Sequence, residues 1–183
     1  LLAVLLGALA WLAASPAAAP DVGTAQVIVL NVFGNDINRR MQEGQTLIRD
    51  QMVRTGTESA AELVFLDNSQ LVIGARSEVT IDRFVFDPDA NATKGSFNIV
   101  KGVLRFASAG ARLNVVVNTR VATLGIRGTI FDVLATSRAT ELAVHEGAVE
   151  VNSAFGNQVV AAGEVLRITT TAAPVALDGP SEE

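Results

Sequence analysis

Cysteine and tyrosine are absent from this 183-residue chain, histidine and tryptophan occur once each, and lysine only at Lys94 and Lys101. Without cysteine there are no disulfides, thiolate zinc sites, iron–sulfur clusters or cysteine nucleophiles. One histidine leaves a Ser-His-Asp triad formally possible but excludes sites that need two imidazoles. Aromatic residues make up 5% of the chain and the single Trp lies near its start, so the ring platform on which sugars usually stack is missing. That counts against an envelope-glycan hydrolase, although 19 acidic residues leave many carboxylate pairs available. The net charge of −5 lacks the cation surplus that nucleic-acid binding requires, so no nucleic-acid partner is expected. The length suits one domain with an extra segment.

What is present divides into two textures. Leu1–Ala14 (LLAVLLGALAWLAA) is uncharged and apolar, and Ser15-Pro16-Ala17-Ala18-Ala19-Pro20 follows. An apolar core, a helix breaker and small residues form the pattern of an export signal. The core is short for a membrane span, which takes roughly 20 residues. Residues 1–17 therefore read as a leader helix and signal peptide cut after Ala17, with 18–22 as a linker. Neither Met nor a basic lead precedes Leu1. A retained leader is the alternative, and membrane contact is expected only in that case.

From Val22 to about Thr170 the pattern changes to short apolar runs punctuated by Gly, Asn and Asp, with no convincing 3.6-residue period. Period-two alternation is plain in Glu78-Val79-Thr80-Ile81-Asp82 and in Thr140-Glu141-Leu142-Ala143-Val144-His145, which reads as strand. Apolar runs repeatedly flank a polar residue and Gly, as at Lys101-Gly102, Arg127-Gly128, Glu146-Gly147 and Ala162-Gly163. Read as tight hairpins, these set Val144 against Val149 and Leu142 against Val151, and Ile99 against Leu104 and Phe97 against Phe106. All are apolar against apolar, as pairing requires. The glycines from Gly102 to Gly163 are 26, 19 and 16 residues apart, so no strict solenoid period exists. The expected fold is all-β, as a distorted β-solenoid or compact sandwich over residues 23–170, with 171–183 a flexible tail.

No residue is singled out as catalytic, cofactor-binding or metal-ligating. His145-Glu146 is the only imidazole beside a carboxylate, but alternation puts His145 on a polar strand face. Asp87, Asp89 and Asn91 have the spacing of the first ligands of a calcium loop. Ala92 and Asn98 then stand where the turn Gly and bidentate Glu belong, so a surface loop is the better reading. Asp67-Asn68-Ser69 reads as a turn without a nucleophile-elbow context. Gly125-Ile126-Arg127-Gly128-Thr129 lacks the Lys-Ser/Thr and the following helix of a phosphate loop, and reads as a turn with an Arg at its rim.

Taken in order, several of these elements resemble the FecR domain, the extracytoplasmic part of bacterial iron-uptake signalling regulators, which also occurs in stand-alone exported proteins. The resemblance runs from Gly23 to about Ile168. It includes Gly44-Gln45-Thr46-Leu47, Val53-Arg54-Thr55, Asp67-Asn68-Ser69-Gln70-Leu71 and Lys101-Gly102-Val103-Leu104-Arg105. Its most specific piece is Val117-Asn118-Thr119-Arg120-Val121-Ala122 leading into Ile126-Arg127-Gly128-Thr129-Ile130-Phe131-Asp132-Val133. Val144-His145-Glu146-Gly147-Ala148-Val149 and Ala162-Gly163-Glu164-Val165-Leu166 close it. Asn68 stands where the family commonly has Gly, a change that positive φ tolerates.

The resemblance implies an all-β envelope domain that works by binding, without catalytic residues or cofactors. Signalling members of the family also carry a cytoplasmic helical segment that holds a sigma factor, and a receptor-contacting portion after the β domain. No such segment precedes the leader here, and 15 residues follow Ile168. The expectation is therefore a periplasmic or secreted interaction module whose partner is an envelope protein or a cell-surface polymer. The extracytoplasmic part of an anchored sigma-factor regulator is the alternative.

Overall fold

The computed structural model describes residues 20–109 and 112–179. The expected leader helix and its cut after Ala17 lie outside the described residues. Among the described residues there is no helix, and sixteen strands form one hydrogen-bonded network. None of this segment, therefore, is a helix long and apolar enough to cross a membrane.

The network is two layers sharing one strand. Layer A contains β1 (Asp21–Val29), β3 (Thr46–Ile48), β5 (Ala60–Phe65), β6 (Gln70–Ile73), β11 (Ile130–Ala135), β12 (Ala139–Glu146), β15 (Val165–Thr169) and β16 (Val175–Leu177). Layer B contains β2 (Val32–Phe33), β4 (Gln51–Thr55), β7 (Glu78–Asp87), β9 (Arg112–Asn118), β10 (Ala122–Ile126), β13 (Ala148–Ser153) and β14 (Gly156–Ala161). The long β8 (Ala92–Ala107) belongs to both. Its first part pairs with β7 and β9 in layer B, its last part with β6 and β11 in layer A. The order is β3-β1-β5-β6-β8-β11-β12-β15-β16 in layer A and β2-β4-β7-β8-β9-β10-β13-β14 in layer B. Only β8 and β9 run parallel. Stacked solenoid coils would give parallel neighbours, whereas the described residues form an open, almost wholly antiparallel all-β network laid out in two layers.

Burial alternates along the strands, as period-two sequence demands. In β4, β5, β9 and β10 every second residue is buried. The inward residues of both layers form one core. Five phenylalanines run through it: Phe65 stacks on Phe84 at 4.2 Å, and Phe97 lies 5.4 Å from Phe65 and 5.7 Å from Phe106, which reaches Phe131 at 5.8 Å. Such ring pairs add about 0.5–1.5 kcal/mol each beyond their area.

The polar-Gly repeats are not hairpins. Glu146-Gly147 carries the chain from β12 in layer A to β13 in layer B, so Val144 pairs with Phe131 and Val149 with Ile126 and Val160. Lys101-Gly102 is a bend within continuous β8, so Ile99 pairs with Val79 and Leu104 with Val133 and Ile73. Arg127-Gly128 and Ala162-Gly163 likewise pass from layer B to layer A. Each of these corners has one residue of positive φ: Gly102, Gly128, Gly147 and Gly163. Earlier corners place Leu30, Asp50, Glu58 and Arg76 in that conformation, at φ of 54–59°. A non-glycine residue there costs about 1–2 kcal/mol.

The expected turn at Asp67-Asn68 does join neighbouring strands, β5 and β6, with Asn68 at φ 65°. The segment expected to be a flexible tail contributes β16, in which Val175 pairs with Arg167 and Leu177 with Val165.

Candidate functional site

His145 does not stand alone on its strand face. The register aligns Arg105 of β8 with Asp132 of β11, and β12 brings His145 beside them. Arg105 Nε and a terminal guanidinium nitrogen donate to the two Asp132 oxygens at 2.6 and 2.7 Å. His145 Nε2 lies 2.8 Å from Asp132 Oδ2. Partial burial would push the Asp132 carboxyl up, but its bonds to Arg105 and His145 outweigh that and hold it below the usual carboxylate range. In return the Asp132 bond raises the Arg105 guanidinium. The fork-to-carboxylate geometry is that of a bidentate ion pair. No serine or threonine hydroxyl among the described residues bonds to His145, so its bonded partners do not form a nucleophile–base pair. The partner of His145 is Asp132, not its neighbour Glu146.

The other candidates resolve into local turn chemistry. Asp87 Oδ1 accepts from the backbone N–H groups of Asp89 and Ala90 at 3.0 and 3.1 Å, which closes the β7–β8 hairpin as an Asx turn. Its spacing mimics a calcium loop because short polar side chains serve both purposes. Among the described residues no group of three or more acids or imidazoles could hold a metal ion. Asp67 is buried, accepting from the Ser69 N–H at 2.9 Å and the Thr93 hydroxyl at 2.6 Å, so it ties the β5–β6 turn to β8. Gly125 lies inside β10, and Arg127 is an exposed corner residue 3.5 Å from Glu150.

A cavity of about 550 Å³ lies under the β2–β3 loop, lined by Asn35, Arg39, Arg40, Gln42 and Gln45. Its deepest amide, Gln51, is spent on the fold. Gln51 Nε2 donates to the Met52 carbonyl at 2.9 Å, and Asn35 Oδ1 accepts from the Met52 N–H at 2.6 Å.

The outer face of layer B is different. Val79, Phe97, Val117, Leu124, Val151 and Val160 point into the core, which turns the alternate residues outward. Cross-strand register then aligns Thr80, Asn98, Asn118, Thr123, Asn152 and Asn157 in one row over six strands. Asn98 donates to Asp82 at 2.6 Å and the Thr123 hydroxyl to Asn118 Oδ1 at 3.2 Å, while the Asn152 and Asn157 amides are exposed. Beside the row is a groove of about 370 Å³ over Gly125, with the Glu150 side chain along its wall. Nothing in the linear sequence announces this row. Its members are separated by 5–29 residues and meet only through strand order.

Fold and surface together define a two-layer all-β domain with one self-paired outer face and one open, polar outer face. Residues 51–150 match the FecR protein family, more than half of the sequence, and the chain belongs to that family. No curated protein matches the sequence. Two solved structures of a candidate anti-sigma factor from Parabacteroides distasonis are similar in fold, with TM-scores of 0.57 and 0.56 and 15% identity. In each comparison the match covers 69% of this chain and 58% of that one.

Proposed function

We propose that this FecR-family protein is an exported, non-enzymatic interaction module of the bacterial cell envelope, whose partner is another envelope protein or a cell-surface polymer. One observation carries the reading. The only imidazole is bound to Asp132, which is itself forked by Arg105, whereas broad strand faces stay open to solvent. The export pattern of residues 1–17 supports the location.

Fractionating the native cells and crosslinking the protein in place tests both halves. The expected result is recovery from the periplasm or medium, crosslinked to an envelope component. Recovery from the cytoplasm, or turnover of an envelope glycan by the purified protein, would overturn it.

A second reading is favoured by the fold likeness to the candidate anti-sigma factor: this domain as the extracytoplasmic part of a membrane-anchored regulator in signal transduction. The match spans 58% of that chain. An uncut leader in the envelope fraction, found by intact mass, would support this second reading, and a mature form starting near Ala18 would oppose it.

A further inference from the structure

At the end of layer B next to the β7–β8 hairpin, the outer face turns from neutral to cationic. Lys94, Arg112 and Arg127 surround a depression of about 340 Å³ that Asn114 also lines, with no acidic residue in its lining. The parallel register of β8 and β9 sets Ala92 beside Arg112 and Lys94 beside Asn114, so the two cations share a face as diagonal neighbours. Among the described residues neither Lys94 nor Arg112 makes an ion pair. Arg127 pairs with Glu150 at 3.5 Å, but both side chains are largely exposed and solvent weakens the contact. Arg83, aligned with Ser96 one step away, is a fourth exposed cation. Such a concentration in a chain of net charge −5 is a local field that attracts anions.

The cationic depression and the neutral row lie on one continuous surface. Between them runs the register Ser96, Val116, Gly125, Glu150, Val159, and the one carboxylate lining the groove there, Glu150, is offset by Arg127 at 3.5 Å. Six strands at about 4.8 Å spacing make the Thr80–Asn157 row about 24 Å long, the scale of a short polymer segment. Amides and hydroxyls both donate and accept, which suits a ligand rich in hydroxyl groups. The cations suit carboxylate or phosphate groups on the same ligand.

We propose that the outer face of layer B binds an anionic polysaccharide. Its hydroxyls lie along Asn118, Thr123, Asn152 and Asn157, and its acidic groups are held by Lys94, Arg112 and Arg127. This deepens the reading of the domain as a binding module by choosing the polymer over the protein partner. Hydroxyls recur along every unit of a glycan and match a row of amides and hydroxyls, whereas the net charge of −5 opposes the many phosphates of a nucleic acid. Charge-assisted contacts dominate, so binding is salt-sensitive.

The test is calorimetric titration of the purified chain with polygalacturonate, with dextran as an uncharged glycan and a single-stranded oligonucleotide as the other polyanion. The expected result is binding of polygalacturonate that weakens about tenfold or more between 50 and 200 mM salt. Dextran is expected to bind far more weakly. The variant Lys94→Ala/Arg112→Ala/Arg127→Ala loses affinity about tenfold or more with an unchanged thermal midpoint, since all three side chains are exposed. Asn152→Ala, which carries no charge, weakens polygalacturonate and dextran alike. Absence of polygalacturonate binding at low salt, undiminished binding by the triple variant, or preference for the oligonucleotide would each overturn the proposal. Failure here leaves an exported module with a protein partner. Cytoplasmic recovery in the fractionation leaves this binding intact but removes its envelope setting, so the two failures are distinguishable.

Discussion

The two outer faces of this sandwich handle charge in opposite ways. On the strands of layer A both arginines are paired, Arg105 with Asp132, which also holds His145, and Arg167 with the buried Glu141. On the strands of layer B only Arg54 is paired, with Glu78 at 3.5 Å, while Arg83, Lys94, Lys101 and Arg112 make no ion pair among the described residues. Charges that satisfy one another across neighbouring strands help hold the fold and present little net field. Charges left open contribute almost nothing to folding and remain available to a ligand. The position of a cation in the strand order, rather than its identity, decides which role it takes.

Six substitutions would break or sharpen this contrast. The largest effect is expected where the faces are joined, at the bend in β8. A Cβ on Gly102 would lie 2.1 Å from Ser77 Oγ and 2.4 Å from Ser77 Cα, at a φ of 107° that side chains rarely adopt. Gly102→Ala should cost about 3 kcal/mol, lowering the thermal midpoint by about 6–12 °C in a scanning calorimeter. Gly163→Ala has positive φ but open space around it, so it should cost only about 1–2 kcal/mol.

Next is Arg105→Ala, which leaves the Asp132 carboxylate half-buried with only His145 beside it. Urea unfolding should show a loss of about 1 kcal/mol, reduced from the value for a buried pair because Arg105 is largely exposed.

A smaller effect follows from pH. Asp132 is held below its unfolded pKa, so its contribution is fully present above about pH 3.9 and is lost as pH falls through the lower folded value. Asp132→Asn should therefore unfold at a midpoint lower than the parent near neutral pH, with the difference shrinking in acid below that point. The smallest effects belong to layer B: Lys94→Ala and Arg112→Ala should change stability by no more than about 0.5 kcal/mol.

The strands themselves are legible in the sequence, because a half-buried strand must alternate. Glu78–Asp82 and Thr140–His145 alternate in the chain, and both fall within strands. The corners are not legible in the same way. An apolar residue, a polar residue, Gly and an apolar residue satisfy a hairpin, and they equally satisfy a passage between two layers that share one core. The apolar-against-apolar check on Val144 and Val149 passes in both cases, so it cannot tell them apart. Phe97 and Phe106 show the same ambiguity: their rings meet at 5.7 Å, but through the bend of β8 and not along a hairpin.

The polar clusters needed more than the sequence alone supplies. Arg105 and Asp132 are 27 residues apart, and His145 is 40 from Arg105. They become neighbours only when β11 is known to lie between β8 and β12. The Asn and Thr row of layer B depends in the same way on β13 lying beside β10. Strand order in a sandwich is set by which corners pass between layers, and that is the information the short-range pattern does not carry.

The central claim is that one face spends its charge on folding and the other offers it to a partner. The most direct measurement is titration of polygalacturonate into Arg105→Ala and Arg112→Ala side by side, at a temperature where both are folded. The account predicts that Arg105→Ala binds like the parent and Arg112→Ala binds several-fold more weakly. Equal losses in the two variants, or a loss confined to Arg105→Ala, would contradict it.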